Sequence, residues 1–196
     1  MQVTTLSFGN MHNYGELFAN LLRARHETFV ERNKWDLPSA DGMEFDQYDT
    51  PASRWICVHE FGQVLAGVRL TPTTARVGIY SYMIRDAQNG LLDTIPQDLL
   101  YEKAPVADHI WEASRVFVSA SVPSKLRLRV QIALISEMVR SARGLGATSL
   151  IGIVPENSLR LARRTGIDCV PAGRVLTFAD ADPSVCISIP MASKLH

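Results

Sequence analysis

The stretch Ile110-Trp111-Glu112-Ala113-Ser114-Arg115-Val116-Phe117-Val118 constrains this chain more than any other. β-Branched and aromatic types dominate it, which predicts a strand. A strand alternates its faces. Glu112 and Ser114 then point to one side, and Trp111, Ala113, Arg115 and Phe117 to the other. A charge on each face of an interior strand is costly unless it is paired or works on a ligand. The stretch therefore predicts either a Glu–Arg structural network with partners elsewhere or a functional site.

The chain before this strand supplies more charge in apolar surroundings. Residues 3–8 alternate as a short strand, and Asn10 is placed to cap a helix beginning near Asn13. Leu17, Leu21, Leu22, Phe29 and Val30 form its apolar stripe, and Arg25 shares a face with Phe29, four residues on. Trp35 lies just past the helix end. Residues 36–49 are rich in Asp, Gly, Ser and Pro and read as a loop. It carries Asp41, Glu44, Asp46 and Asp49, and is either simply solvated or holds a cationic ligand. Residues 55–60 and 64–70 flank Phe61-Gly62-Gln63 as a hairpin, with Arg69 inside the second strand between Val68 and Leu70. Residues 75–109 read as irregular, broken by Gly78, Asn89-Gly90, Pro96 and Pro105 around an aromatic cluster at Tyr80 and Tyr82.

Beyond Val118 the pattern is more regular. Pro123 suits the first turn of a helix that runs to about Arg143. Its stripe is Val130, Leu134 and Met138, with Ile135, Val139 and Ala142 beside them, and Gly144 and Gly146 end it. Residues 150–154 are a continuous apolar strand, buried on both faces and stopped by Pro155. A second helix over 156–164 closes at Gly166. Residues 169–178 and 185–190 read as antiparallel strands around a turn at 179–183. This order predicts a single domain over residues 1–196, a three-layer α/β/α sandwich on one mixed sheet.

Composition excludes several functions. Lys+Arg and Asp+Glu balance at 20 each, so net charge gives no reason to expect nucleic-acid or membrane binding. No apolar run approaches the roughly 20 residues that span a bilayer. The N-terminus has no basic region before an apolar run, which predicts no signal peptide and a cytoplasmic location. Cys57, Cys169 and Cys186 are an odd set without metal-ligand spacing, expected as reduced thiols. Phosphate-binding glycine motifs are absent, and His26, His59 and His109 lack the context of a catalytic triad. What remains is Arg25, Arg69, Glu112 and Arg115 in elements expected to be partly buried, Asp46 and Asp49 in the acidic loop, and Phe29, Trp35 and Tyr82 nearby. Such a set offers cations for a carboxylate, anions for an amine or sulfonium, and aromatic faces for a cation or flat base. A zwitterionic ligand with an aromatic ring meets that inventory.

Four pieces in order resemble the LuxI-type acyl-homoserine-lactone synthases, bacterial enzymes that make quorum-sensing signals. They are Arg25-x-x-x-Phe29 with Trp35 after it; Glu44-Phe45-Asp46-Gln47-Tyr48-Asp49; Gly67-Val68-Arg69-Leu70-Thr71-Pro72-Thr73; and Trp111-Glu112-Ala113-Ser114-Arg115. The resemblance covers the chain to about Gly166. It implies a GNAT-like α/β fold whose mostly antiparallel sheet has a V-shaped splay between strand 110–118 and strand 150–154. The implied substrates are S-adenosylmethionine and a fatty acyl thioester on acyl carrier protein or coenzyme A, with no further cofactor and no metal. The amine attacks the thioester, and lactonisation then expels methylthioadenosine.

The resemblance also implies roles. Arg25, Phe29, Trp35, Asp46, Asp49, Arg69, Glu112 and Arg115 match the family's signature set, and Tyr82 joins them as a candidate on the cosubstrate side. An α-amine with a reference pKa of about 8 must lose a proton to attack. Glu112 is the candidate base, directly or through a water, or else it orients Arg25 or Arg69 by pairing. Asp46 and Asp49 are expected at the amine or sulfonium. Arg25 and Arg69 are expected at the carboxylate or ordering the acidic loop, and Arg115 bracing that loop. Phe117, Ile135, Met138, Leu150, Gly152 and Ile153 are candidates for an acyl tunnel. Gly152 stands where members using 3-oxo chains often carry Thr, which points to an unsubstituted chain. Lys125, Arg127, Arg129, Arg160, Arg163 and Arg164 are the candidate docking patch for an acidic carrier protein. Two other readings stay open: an acetyl-coenzyme A acetyltransferase, disfavoured by the glycine-free 119–125 turn, and a non-catalytic sensor of S-adenosylmethionine or a lipid, disfavoured by the retained base.

Overall fold

The computed structural model describes residues 1–159, 162, 167–177 and 182–191. Their contacts divide the chain into two compact units, Met1–Leu70 with Arg115–Ser141, and Thr71–Ser114 with Ala142–His196.

In the first unit, β1 (Gln2–Leu6) pairs antiparallel with β4 (Arg54–Glu60), and β4 with β5 (Gln63–Pro72). The β4–β5 hairpin turns at Phe61 and Gly62, both at positive φ (50° and 80°), the geometry that matches strand twist. The helix expected from Asn13 starts later. Asn10 closes a local turn instead, accepting from Ser7 N and donating to Thr5 O. Helix α1 (Leu17–Arg25) then passes directly into a π-helical stretch, His26–Arg32. Both Arg25 and Phe29 are buried there. Leu6, Leu17, Leu21, Phe29, Trp55, Cys57, Val64 and Phe117 make the core. Gly67 permits that packing, since a Cβ there would lie 2.7 Å from Leu21 Cδ1 and from Phe117 Cε1. The acidic segment forms a small hairpin, β2 (Ser39–Ala40) with β3 (Met43–Glu44).

The strand 110–118 is present as β6 (Ile110–Val118), and the units divide within it, between Ser114 and Arg115. Helix α3 (Ser124–Gly144) comes next as expected, with Val130, Leu134 and Met138 buried. Thr5 bonds both Glu137 and Ser141, tying β1 to α3.

In the second unit, β7 (Ser149–Pro155) pairs parallel with β6 over three residue pairs, Ile110↔Ser149 to Glu112↔Ile151. β7 pairs antiparallel along its whole length with β9 (Ser184–Pro190), which pairs in turn with β8 (Val170–Leu176). The strand order is β1-β4-β5 in the first unit and β6-β7-β9-β8, a mixed set, in the second, each with the helices of an α/β fold. Residues 75–109 are not wholly irregular, because they contain α2 (Met83–Gln88). Six residues make too few turns for a 3.6-residue stripe to be read from sequence. Tyr82, Ile84, Ala87, Leu99, Ile151 and Cys186 form this unit's core. Most of the helix expected over 156–164, and part of the 179–183 turn, lie outside the described residues.

Candidate active site

The Glu44, Asp46 and Asp49 side chains of the acidic loop are not solvated. Arg25 donates Nε to Glu44 Oε2 at 2.6 Å and grips Asp49 with both Nη atoms at 2.8 and 3.0 Å. Arg69 holds Asp46 at 2.5 and 3.2 Å and reaches Asp49 at 3.1 Å. Arg115 pairs with Glu44 at 3.1 Å and with Asp46 at 2.8 Å. Three guanidiniums thus meet three carboxylates, and none of the six side chains is more than 9% exposed. The loop is braced from within as well. Asp46 N donates to Asp49, Tyr48 N to Asp46, and Trp55 Nε1 to Asp49 Oδ1 at 2.8 Å. Arg69 lies over Tyr48 and Arg115 over Phe29, at 5.6 and 5.7 Å from the ring centroids.

Charge obeys that geometry. Burial alone would push the Asp46 carboxyl up, but Arg69 and then Arg115 overcome it and hold it below its ordinary value. Asp49 shows the same balance, with Arg69 and Arg25 prevailing over burial. Burial likewise opposes the Arg25 guanidinium, yet Asp49 and Glu44 keep it raised despite Arg69 nearby. Asp46 and Asp49 were expected at a substrate amine. Here their oxygens are paired with arginines.

Arg115 sits at φ 55°, left-handed backbone inside a strand. A non-glycine residue pays about 1–3 kcal/mol for this and persists where its surroundings over-determine it. Its two buried carboxylates do so. Phe117 meets Phe29 edge-on at 5.9 Å, so Arg115 and Phe117 both reach the same ring. Phe29 also stacks on Trp35 at 5.2 Å and 15°, and Trp35 keeps 40% of its surface exposed.

In the second unit, Glu112 is fully buried. It accepts Ile84 N at 2.8 Å and Met83 N at 3.3 Å, the first amides of α2. Tyr82 belongs to the core there. It is 0% exposed, its hydroxyl donates to Pro105 O, and burial, reinforced by the Glu112 charge, pushes its phenol up. Its ring packs in this unit's core.

The expected acyl-tunnel residues divide between the units. Phe117 and Met138 are buried in the first, with Ile135 half-buried. Leu150 and Gly152 are buried in the second, and Ile153 packs half-buried on its core. Gly152 carries a correction. A Cβ there would lie 2.7 Å from Ala113 O, so close backbone approach dictates the glycine. Its missing hydroxyl therefore says nothing about the acyl chain. Of the docking cations, Lys125 and Arg129 are exposed, whereas Arg127 donates to Val118 O and Ser119 O. Arg160, Arg163 and Arg164 lie outside the described residues.

Sequence reasoning left out Glu44, which joins Arg25 to Arg115, and Trp55, which donates to Asp49. The signal for Glu44 was its place two residues before Asp46 in the loop motif. Among the described residues, no cluster of His, Cys, Asp and Glu suits a metal ion, and no helix is long and apolar enough to cross a membrane.

Solved structures share this fold. TofI, in a ternary complex with an inhibitor and MTA, is 26% identical with a TM-score of 0.77, covering 97% of this chain and 92% of its own. The AHL synthase LasI superposes with a TM-score of 0.80 at 23% identity, covering 98% and 91%. An acyl-CoA N-acyltransferase from Pseudomonas aeruginosa gives 0.61 at 16%, covering 96% and 99%. The fold is thus that of the N-acyltransferases. Sequence narrows it further. The autoinducer synthase model matches residues 10–180. An acyl-homoserine-lactone synthase of Ralstonia solanacearum is 31% identical over 191 residues, 89% of this chain and 88% of the relative. The corresponding Vibrio anguillarum enzyme is 27% identical over 178 residues, covering 89% and 86%. The chain belongs to the autoinducer synthase family, acyltransferases that make acyl-homoserine lactones.

Proposed function

We propose that this chain transfers a fatty acyl group from an acyl thioester to the amine of S-adenosylmethionine, and that the acylated intermediate lactonises and releases methylthioadenosine. The observation that carries the mechanism is Glu112, a fully buried carboxylate held by two backbone amides beside the end of the β6–β7 pairing. A carboxylate so fixed needs no reorganisation to take a proton from the attacking amine, directly or through a water. Two related structures support the choice of substrates: TofI was solved with MTA, and BjaI with SAM and isopentyl-CoA.

The Arg25–Asp49–Arg69–Asp46–Arg115–Glu44 cluster is neutral and rigid, and its role here is to fix the acidic loop. The Phe29–Trp35 stack, with Trp35 partly exposed, offers a flat apolar face to the adenine ring. Acyl carrier protein and coenzyme A are both open as donors. Lys125 and Arg129 are the cations on α3 suited to an acidic carrier. The reaction is placed in the cytoplasm, where both substrates are made.

The test is to incubate purified protein with S-adenosylmethionine and a panel of acyl carrier and coenzyme A thioesters, monitoring methylthioadenosine. Absence of release with every donor defeats the reading. Glu112→Gln should lower kcat by about 10²-fold or more while leaving S-adenosylmethionine affinity nearly unchanged. Equal losses in both make Glu112 a structural residue.

A further inference from the structure

Trp111 precedes the candidate base, and its indole is 7% exposed. Its Nε1 is buried, and among the described residues it has no hydrogen-bond partner. A buried donor without an acceptor is costly, and native proteins retain few of them. Position gives this one a purpose. Trp111 is registered with Leu150 in the parallel β6–β7 pair, whose last registered pair is Glu112↔Ile151. By strand alternation its side chain shares a face with Ala113 and lies opposite to that of Glu112. Leu150 and Gly152 share the corresponding face of β7, and both are expected acyl-tunnel residues. Gly152 has no side chain, and a Cβ there would lie 2.7 Å from Ala113 O. Among the described residues Trp111, Ala113, Leu150 and Gly152 of that face, Trp111 alone carries a side-chain hydrogen-bond donor.

We propose that Trp111 Nε1 is a specificity donor for an oxygen on the acyl chain beyond the thioester, a 3-oxo or 3-hydroxy group. The inference rests on the acyltransferase reading above and replaces the unsubstituted chain that Gly152 first suggested. A site that reserves a buried donor for a substrate oxygen rejects the analogue that lacks it, because the donor then stays unpaired. The indole contributes binding and selection only, and takes no part in proton transfer.

The experiment uses the full chain with unsubstituted, 3-hydroxy and 3-oxo acyl thioesters of one chain length, read by methylthioadenosine release. The wild type should favour at least one oxygenated donor over the unsubstituted one by about tenfold or more in kcat/KM. Trp111→Phe, which removes the N–H and keeps an aromatic ring, should abolish that preference while leaving the unsubstituted donor within about threefold. A wild-type enzyme that turns over the unsubstituted donor as well as both oxygenated ones overturns the inference, whether or not the variant folds. So does a Trp111→Phe variant that loses activity equally on all three, which is the mark of a packing residue. No release from any donor refutes the acyltransferase reading itself, an outcome distinct from turnover without preference.

Discussion

Glu44 offers a sharp test of the charge cluster. It is fully buried and accepts Arg25 at 2.6 Å and Arg115 at 3.1 Å. Deleting it in Glu44→Ala leaves three guanidiniums facing two carboxylates out of contact with water. Breaking a buried pair by removing one partner costs about 3–5 kcal/mol, mostly from the charge left behind. Glu44→Gln keeps the shape and one acceptor oxygen but loses the charge. One charge-assisted bond becomes a neutral one, and the other is lost because the amide NH2 faces a guanidinium donor, so its cost should be at least about 2 kcal/mol. With a urea slope of about 2.5 kcal/mol/M for a chain of this size, the midpoints should fall by about 0.8 M for Gln and about 1.2–2 M for Ala. Tryptophan fluorescence is a suitable probe, because Trp55 donates to Asp49 inside the cluster. The contrast is Arg140→Ala, which removes an exposed guanidinium paired with Glu137 on α3 and should barely move the midpoint. Added salt should erase the small Arg140 effect and leave the Glu44 losses nearly intact, since buried pairs are screened least. A Glu44→Gln midpoint within about 0.2 M of wild type would show that the cluster behaves as surface charge, and the reasoning would fail.

The same geometry sets three further outcomes. Asp46 and Asp49 are held below their ordinary values when folded, while an unfolded aspartate takes up its proton near pH ~3.9. Between those values the unfolded chain binds more protons, so this stabilisation is present above pH ~4 and is lost as pH falls further. Urea midpoints should drop most steeply below about pH 4; a midpoint unchanged at pH 3 contradicts this. Gly152→Ala drives a methyl against Ala113 O, at a cost of about 1–3 kcal/mol and a Tm loss of about 3–10 °C by calorimetry. An unaltered Tm would show that the strands part freely there. Burial pushes the Cys57 and Cys186 thiols up to about 12, whereas Cys169 is only half-buried. Native protein at pH 8 should therefore release one fast equivalent with a thiol reagent and three after denaturation, and two fast equivalents would contradict the burial.

Much of the fold was legible because its signals are local. The α3 stripe, the glycines that end it, the continuous β7 run and the β4–β5 hairpin each depend on neighbours a few residues apart, and each appears close to its expected position. The misses have local causes too. Asn10 spends its side chain on Ser7 and Thr5 at the start of a 3-10 turn, Met11–Tyr14, and the α-helix begins only at Leu17, while α2 is shorter than the period that would disclose it. Trp35 was rightly set just past a helix, but the π-helical geometry before it has no signature in composition that we can identify.

What the sequence determined by itself was an inventory. Arg25, Arg69, Arg115 and Glu112 could be picked out because charge is costly in apolar surroundings, and that cost can be read from neighbours along the chain, whereas Asp46 and Asp49 stood out only as acids in a polar loop matching the family motif. Which charge meets which was decided by tertiary structure alone. Arg115 reaches Glu44 across 71 residues of chain, Arg25 reaches Asp49 across 24, and Glu112 takes its amides from residues 28 and 29 positions away. The same distances turned an acidic loop that looked open to a cation into a neutral, buried block. They also left the Trp111 indole as a buried donor without a partner among the described residues. The physical reason is that desolvation fixes how much compensation a charge or donor needs, whereas only the folded chain supplies the partner.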